Sequence, residues 1–198
     1  MINFLKNRHF LIDLIIKILT FKHPVIKHNI EKVNFFLDCF FLLNLEMVEG
    51  DYVEFGVFEG SSMISAYRAN LSSTKKNNFN MIANGPSRNY YGFDSFEDGF
   101  KIFDEKDNHP TWIEGNLKTN YEKTYRRIKK NIKKSKFKLI KGFVEETCKN
   151  KKPEDYGINK ISLALFDMDL GTPTLIGLEF IKNSLVEGSI IAFDEFFA

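Results

Sequence analysis

Six carboxylates stand where this chain could most readily do chemistry. Glu54, Asp94, Asp167, Asp169, Asp194 and Glu195 each lie within or just after a short apolar run. Short apolar runs read as strands, and in an open parallel sheet ligands bind outside the carboxyl ends of the strands. An acid just past a second strand, Asp94, can accept both hydroxyls of a ribose. Asp167 with Asp194 or Glu195 suits a hard cation, because Mg²⁺ takes carboxylate oxygens and keeps several waters. Such a metal would orient a substrate hydroxyl and lower its pKa. Taken singly, each acid reads equally well as a helix cap or a loop charge. Their order along the chain is what gives them weight.

The stretch GDYVEFGVFEGSS, residues 50–62, carries the first of these acids. Tyr52, Val53, Phe55 and Val57 form an apolar run around Glu54, which leads into Gly56 and Gly60. This predicts a buried strand turning sharply into a helix, with backbone N–H groups exposed at the helix start for a polar ligand. The spacing is Glu-x-Gly-x-x-x-Gly, with Phe58 at the middle position of the usual glycine fingerprint. A complete dinucleotide motif is therefore absent. Gly142 and Phe143, after the third strand, offer a small residue and a ring on which a flat base could rest.

The elements that must position these residues alternate. Strands are expected at Tyr52–Val57, Tyr90–Phe93, Phe137–Ile140, Ile161–Phe166 and Ser189–Phe193, with helices between most of them. That pattern predicts a parallel sheet covered by helices on both faces. Pro173, with Thr172 before it as a cap, opens a helix through Leu185 that stops near Gly188. Residues 1–49 read as helical, and Val33 to Leu45 is apolar enough to be buried on most of its surface. Leu71 to Asn89 and Glu97 to Asn116 read as long loops, the second holding Trp112, and long loops in compact domains are often lids or binding loops.

Length and composition set limits. A chain of 198 residues is one domain with room for a real core. Lys and Arg number 28 against 26 Asp and Glu, so overall charge points to no partner. Lys118 to Lys141 holds eleven basic residues against one Glu. It is mostly Lys with few aromatics for stacking, and reads as a solvated helix face rather than a nucleic-acid surface. Cys39 and Cys148 have neither redox-motif nor metal spacing, which fits a reducing cytoplasmic setting. Phe10 to Phe21 is apolar but too short to span a bilayer, and Asp13 and Lys17 interrupt it. It lacks a signal-peptide cleavage site and reads as a helix packed on the domain or on a second subunit.

The ordered set of motifs over about residues 43–196 resembles the TylF/MycF-type macrocin O-methyltransferases, a branch of the class I S-adenosylmethionine-dependent methyltransferases. GDYVEFGVFEGSS is similar to the first motif of that family, where an aromatic commonly stands at the position of Phe58. YGFDSFEDGF is similar to the second, GFVEET to the segment after the third strand, and LFDMDLGTPTLIGLEFI and GSIIAFDEF to its Asp-x-Asp and acidic-pair motifs. The resemblance implies a Rossmann-like sheet in residues 50–198, preceded by a helical extension at 1–49. It implies that Glu54, Gly56, Gly60 and Ser61 shape the pocket for the methionine part of S-adenosylmethionine. Asp94 and Ser95 would serve the ribose, and Gly142 and Phe143 the adenine. Asp167, Asp194 and Glu195 would be Mg²⁺ ligands, with Asp167 also near the substrate proton. Asp169 also matches the motif, with a structural role as the alternative to one in the site. The acceptor would be a hydroxyl of a sugar or similar polyol.

The chain departs from the family pattern in three places. Gly171 stands where Tyr is usual, Glu195-Phe196 replaces Asp-Tyr, and the chain ends at Ala198, just after the fifth strand. Family members continue through two more strands, so a sheet with an exposed edge is expected, and with the apolar N-terminal helices it suggests self-association. Two other classes remain open on these grounds: a cofactor-binding module without turnover, and a Lys-rich nucleic-acid binder with steeply salt-dependent affinity.

Overall fold

The computed structural model describes residues 10–14, 16–17, 24–73, 85–102, 104–107 and 113–194. The five apolar runs form strands β1 (Asp51–Phe55), β2 (Tyr90–Asp94), β3 (Phe137–Lys141), β4 (Ile161–Phe166) and β5 (Leu185–Phe193). All are parallel and pair in the order β3-β2-β1-β4-β5. The crossovers run one way from β1 to β3 and the other way from β4 to β5. A crevice therefore opens at the carboxyl ends of β1 and β4, the topological switch point of such a sheet. Phe93, Phe55, Phe166 and Phe193 stand side by side at that end, with ring centroids 5.0, 4.8 and 5.3 Å apart along the row. Each stacked pair adds about 0.5–1.5 kcal/mol beyond its buried area. The row also fixes the height at which the residues following each strand emerge.

Helices α1 (Pro24–Leu45), α2 (Ser61–Ser73), α3 (Tyr121–Asn131), α4 (Val144–Thr147) and α5 (Gly171–Ile181) cover the sheet. Alternation along β1 divides the core in two, since successive side chains point to opposite faces. Tyr52 meets Phe36, Phe40, Met63 and Tyr90 on one face. Val53 and Phe55 meet Phe93, Phe166, Phe180 and Ile181 on the other.

The structure corrects several expectations about the elements. Helix α1 buries only one stripe, through Phe36, Cys39, Phe40, Leu43 and Asn44, while Val33, Phe35, Leu37, Phe41, Leu42 and Leu45 are exposed. Of the described helical residues before it, Phe10, Leu11, Ile12, Leu14 and Ile16 are exposed. Helix α5 stops at Ile181 and β5 already begins at Leu185, so Gly188 is inside a strand rather than after a helix. There it has φ 84° in an irregular stretch where Ile161 pairs with Leu185 but Leu163 with Ile190. The Ser189 hydroxyl closes this bulge, lying 2.7 Å from the carbonyls of both Ile161 and Val186. Thr172 does not cap α5. Asp107, from the second long loop, does so instead, accepting the N–H groups of Gly171 at 2.9 Å and Thr172 at 3.1 Å. The basic residues of α3 lie largely on its solvent side, and Trp112 falls outside the described residues. No described helix is long and apolar enough to cross a membrane.

Candidate functional site

The glycine turn after β1 is shaped by the chain itself. Gly56 has φ 87°, and a Cβ there would lie 1.9 Å from the carbonyl oxygen of Asp167. Glycine is thus required because the exits of β1 and β4 touch, while the Asp167 N–H donates to the Phe55 carbonyl at 2.9 Å. A Cβ on Gly60 would press on Ile128 of α3, so that glycine serves helix packing. Phe58 follows with φ 49°, a left-handed conformation uncommon for a residue with a side chain.

Asp94 ties this turn to β2. Its Oδ2 accepts the Phe58 N–H at 2.8 Å and its Oδ1 the Phe96 N–H at 2.6 Å. Burial raises its pKa, and these backbone donors work against the rise. The Val57 N–H acts on the same carboxylate, so of its roughly four acceptor positions about one remains for a ligand. Asp94 lines a cavity of about 270 Å³ together with Ser95, Gly56, Gly142, Phe143 and Asp167. Gly99, Phe100, Lys101 and Leu117 close it from the side of the second long loop, and the Lys101 ammonium lies 5.5 Å from the centre of the Phe143 ring. Asp169 also lines it, with φ 61°, and Leu117 has φ 57°. Of five described non-glycine residues at positive φ, Phe58, Leu117 and Asp169 thus border this one cavity. Strained backbone of this kind gathers at ligand sites.

Glu54, Gly60 and Ser61 do not line the cavity. Glu54 is fully buried beneath the turn, where it accepts the Tyr52 O–H at 2.9 Å and a short bond from the Ser62 hydroxyl. Burial pushes its pKa up to about 8, against the pull of those hydroxyls. The Ser61 hydroxyl faces outward and accepts from Arg127 at 3.1 Å.

At the adjoining end of the crevice, Asp167 and Asp194 follow the paired residues Phe166 and Phe193, so the sheet sets them side by side. Between them stands Lys32 of α1, which the sequence reading did not single out. Its Nζ is 2.6 Å from Asp167 Oδ2 and 3.2 Å from Asp194 Oδ1. One helical turn earlier, His28 Nε2 lies 3.3 Å from Asp194 Oδ2. Burial raises the Asp167 pKa to about 6, Lys32 opposes that rise, and the Asp194 carboxylate adds to it. Burial disfavours the Lys32 ammonium, but the two carboxylates outweigh it and its pKa is raised.

The expected Mg²⁺ site therefore does not fit as placed. The two carboxylates would suit a hard cation, yet an ammonium fills the space between them. Among the described residues, no group of three or more His, Cys, Asp or Glu is arranged to hold a metal. Glu195, the third expected ligand, lies outside the described residues. Lys32 was nonetheless detectable in principle. His28, Lys32, Phe36 and Phe40 recur every four residues, so the polar pair heads the same stripe that enters the core.

No protein-family model matches the sequence, and no curated protein matches it. Solved structures do. The calicheamicin methyltransferase CalS11 is 26% identical with a TM-score of 0.65, covering 91% of this chain and 71% of that one. A second, apo structure of CalS11, described as a TDP-rhamnose 3′-O-methyltransferase of calicheamicin biosynthesis, is 24% identical with a TM-score of 0.55, covering 91% and 70%. The O-methyltransferase NovP is 19% identical with a TM-score of 0.63, covering 83% of this chain and 64% of its own. The chain thus has the Rossmann-like fold of class I methyltransferases, as the motif order implied.

Proposed function

We propose that this protein is an S-adenosylmethionine-dependent O-methyltransferase acting on a hydroxyl of a sugar or similar polyol. The observation that carries the reading is the cavity at the switch point. It joins a half-buried acid suited to a ribose, Asp94, to a second acid, Asp167, one strand beyond β1. The likeness to CalS11 and NovP supports the same activity and suggests a nucleotide-linked deoxysugar as the first acceptor to try.

Residues present fit the cofactor. Asp94 faces the cavity with acceptor capacity left for a ribose hydroxyl, and Phe143 with Gly142 offers a flat apolar wall for a base. When bound, S-adenosylmethionine supplies an electrophilic methyl carbon whose bonding pair stays with sulfur as the acceptor oxygen attaches. The chain holds and orients the acceptor, which accounts for much of the rate in a transfer between two bound partners. Asp167 takes the hydroxyl proton as the oxygen attacks, and a pKa of about 6 leaves it largely ionised at neutral pH. Lys101, Phe100 and Leu117 wall the cavity on the side of the second long loop.

Calorimetric titration with S-adenosylhomocysteine tests the reading. Micromolar binding that weakens at least tenfold in Asp94→Ala is expected, followed by methyl transfer from S-adenosylmethionine to TDP-rhamnose or a related sugar nucleotide. Binding without transfer to any polyol acceptor would instead indicate a cofactor-binding module. No binding by the folded chain would overturn both.

A further inference from the structure

We propose that Lys32 is the resident cation of the Asp167–Asp194 pair, so that α1 supplies from within the chain the positive charge that a divalent ion would otherwise bring. The ammonium lies 2.6 Å from one carboxylate and 3.2 Å from the other, and all three side chains are mostly buried. The two acids cannot move apart to relieve their repulsion, because their backbones leave β4 and β5 side by side. The Asp194 N–H donates to the Phe166 carbonyl at 3.0 Å, and the Asp167 N–H to Phe55 at 2.9 Å. A cation at this place relieves that repulsion.

The position of Lys32 is set by packing rather than by the reach of a flexible side chain. Phe36 and Phe40, one and two turns further along the same stripe of α1, are fully buried against Tyr52. Withdrawing Lys32 by lifting the helix would pull both rings from the core. His28 adds a second nitrogen on the same stripe, 3.3 Å from Asp194. Mg²⁺ requires near-octahedral oxygen ligands at about 2.0–2.1 Å, so it cannot enter unless the ammonium leaves. Lys32 also holds Asp167 by a charge-assisted bond, which makes it a positioning residue for the acid assigned to the acceptor proton. Only this positioning role rests on the proposed methyl transfer. The exclusion of metal does not.

The test is calorimetric titration of the full chain with MgCl₂, in wild type, Lys32→Met and Lys32→Met/Asp194→Asn. Methionine keeps most of the stem and removes the charge. Wild type is expected to show no saturable binding up to about 10 mM, Lys32→Met to bind at least tenfold more tightly, and the double variant to lose that gain. Submillimolar Mg²⁺ binding by wild type would overturn the proposal, as would the absence of any gain in a folded Lys32→Met. If that variant does not fold, Lys32→Arg and wild type are compared by thermal midpoint with and without 10 mM MgCl₂. Neither midpoint should rise, and a rise in either would overturn the proposal. S-adenosylhomocysteine titrated into the same samples separates the two readings, because its binding depends on Asp94 rather than Lys32.

Discussion

Asp167 is held between opposing demands. The spacing of paired strands places it about 5 Å from Asp194, where two carboxylates repel by about 3 kcal/mol at an effective dielectric near 20. Lys32 counters that repulsion and keeps Asp167 ionised enough to receive a proton. Asp167→Asn removes the proposed acceptor of the proton but keeps the shape of the site. Transfer to the sugar is expected to fall roughly 10²- to 10⁴-fold, with S-adenosylhomocysteine affinity within about twofold of wild type. Glu54 gives a different signature, because it lies under the cavity and acts on stability. Its folded pKa of about 8 stands above the ordinary 4.5. Between those values the folded chain keeps a proton that the unfolded chain releases. Stability therefore falls as pH rises from about 5 to 8, by up to ~1.4 kcal/mol per pH unit, and levels off above. Glu54→Gln, which is neutral and can still bond Tyr52 and Ser62, should flatten that slope in thermal midpoints measured across the range. Asp94, Asp167 and Asp194 were legible from sequence because each closes an apolar run. Lys32 was not read there, since it lies 135 residues from Asp167 and only the folded helix brings it near.

At the scale of elements, the strands were readable because their apolar runs are short and bounded by Gly or acid, and β4 falls at Ile161–Phe166 as expected. The start of β5 was not. Leu185 and Val186 continue the apolar pattern of α5, and the turn between them is made by Lys182 to Ser184, which carries no Gly or Pro. The cap of α5 was missed for a related reason: its carboxylate comes from Asp107, 64 residues away from Gly171. This cap joins two parts of the site, since the loop that carries Asp107 also carries Gly99, Phe100 and Lys101 over the cavity. Asp107→Ala should cost about 1 kcal/mol, or roughly 2–4 °C in thermal midpoint for a chain of this size. It should also weaken S-adenosylhomocysteine binding by loosening the cavity wall. Asp107→Asn, which can still accept from Gly171 and Thr172, should retain most of both. Loss of stability with unchanged ligand affinity would show that the loop does not form part of the binding site.

The molecule as a whole leaves more apolar surface uncovered than its core requires. Along α1, Val33, Leu37, Phe41 and Leu45 recur every four residues on the exposed flank. Phe10, Leu11, Ile12, Leu14 and Ile16 add exposed apolar groups before that helix, and Ile191 and Phe193 do so on β5 at the edge of the sheet. Scattered apolar residues are normal on a surface, but a contiguous helical stripe marks an interaction face. The net charge of +2 offers little repulsion to keep copies apart. The stripe on α1 flanks the one that carries Phe36 and Phe40, about 100° around the helix, so association through it would leave the buried rings and Lys32 in place. Self-association is therefore expected in sedimentation velocity at tens of micromolar, with the average mass rising with concentration. Leu37→Glu/Phe41→Glu places two charges on that stripe and keeps Phe36 and Phe40, and should return the chain to monomer while leaving S-adenosylhomocysteine binding intact. A wild-type chain that sediments as a monomer at about 100 µM would remove the α1 stripe as an interface between copies.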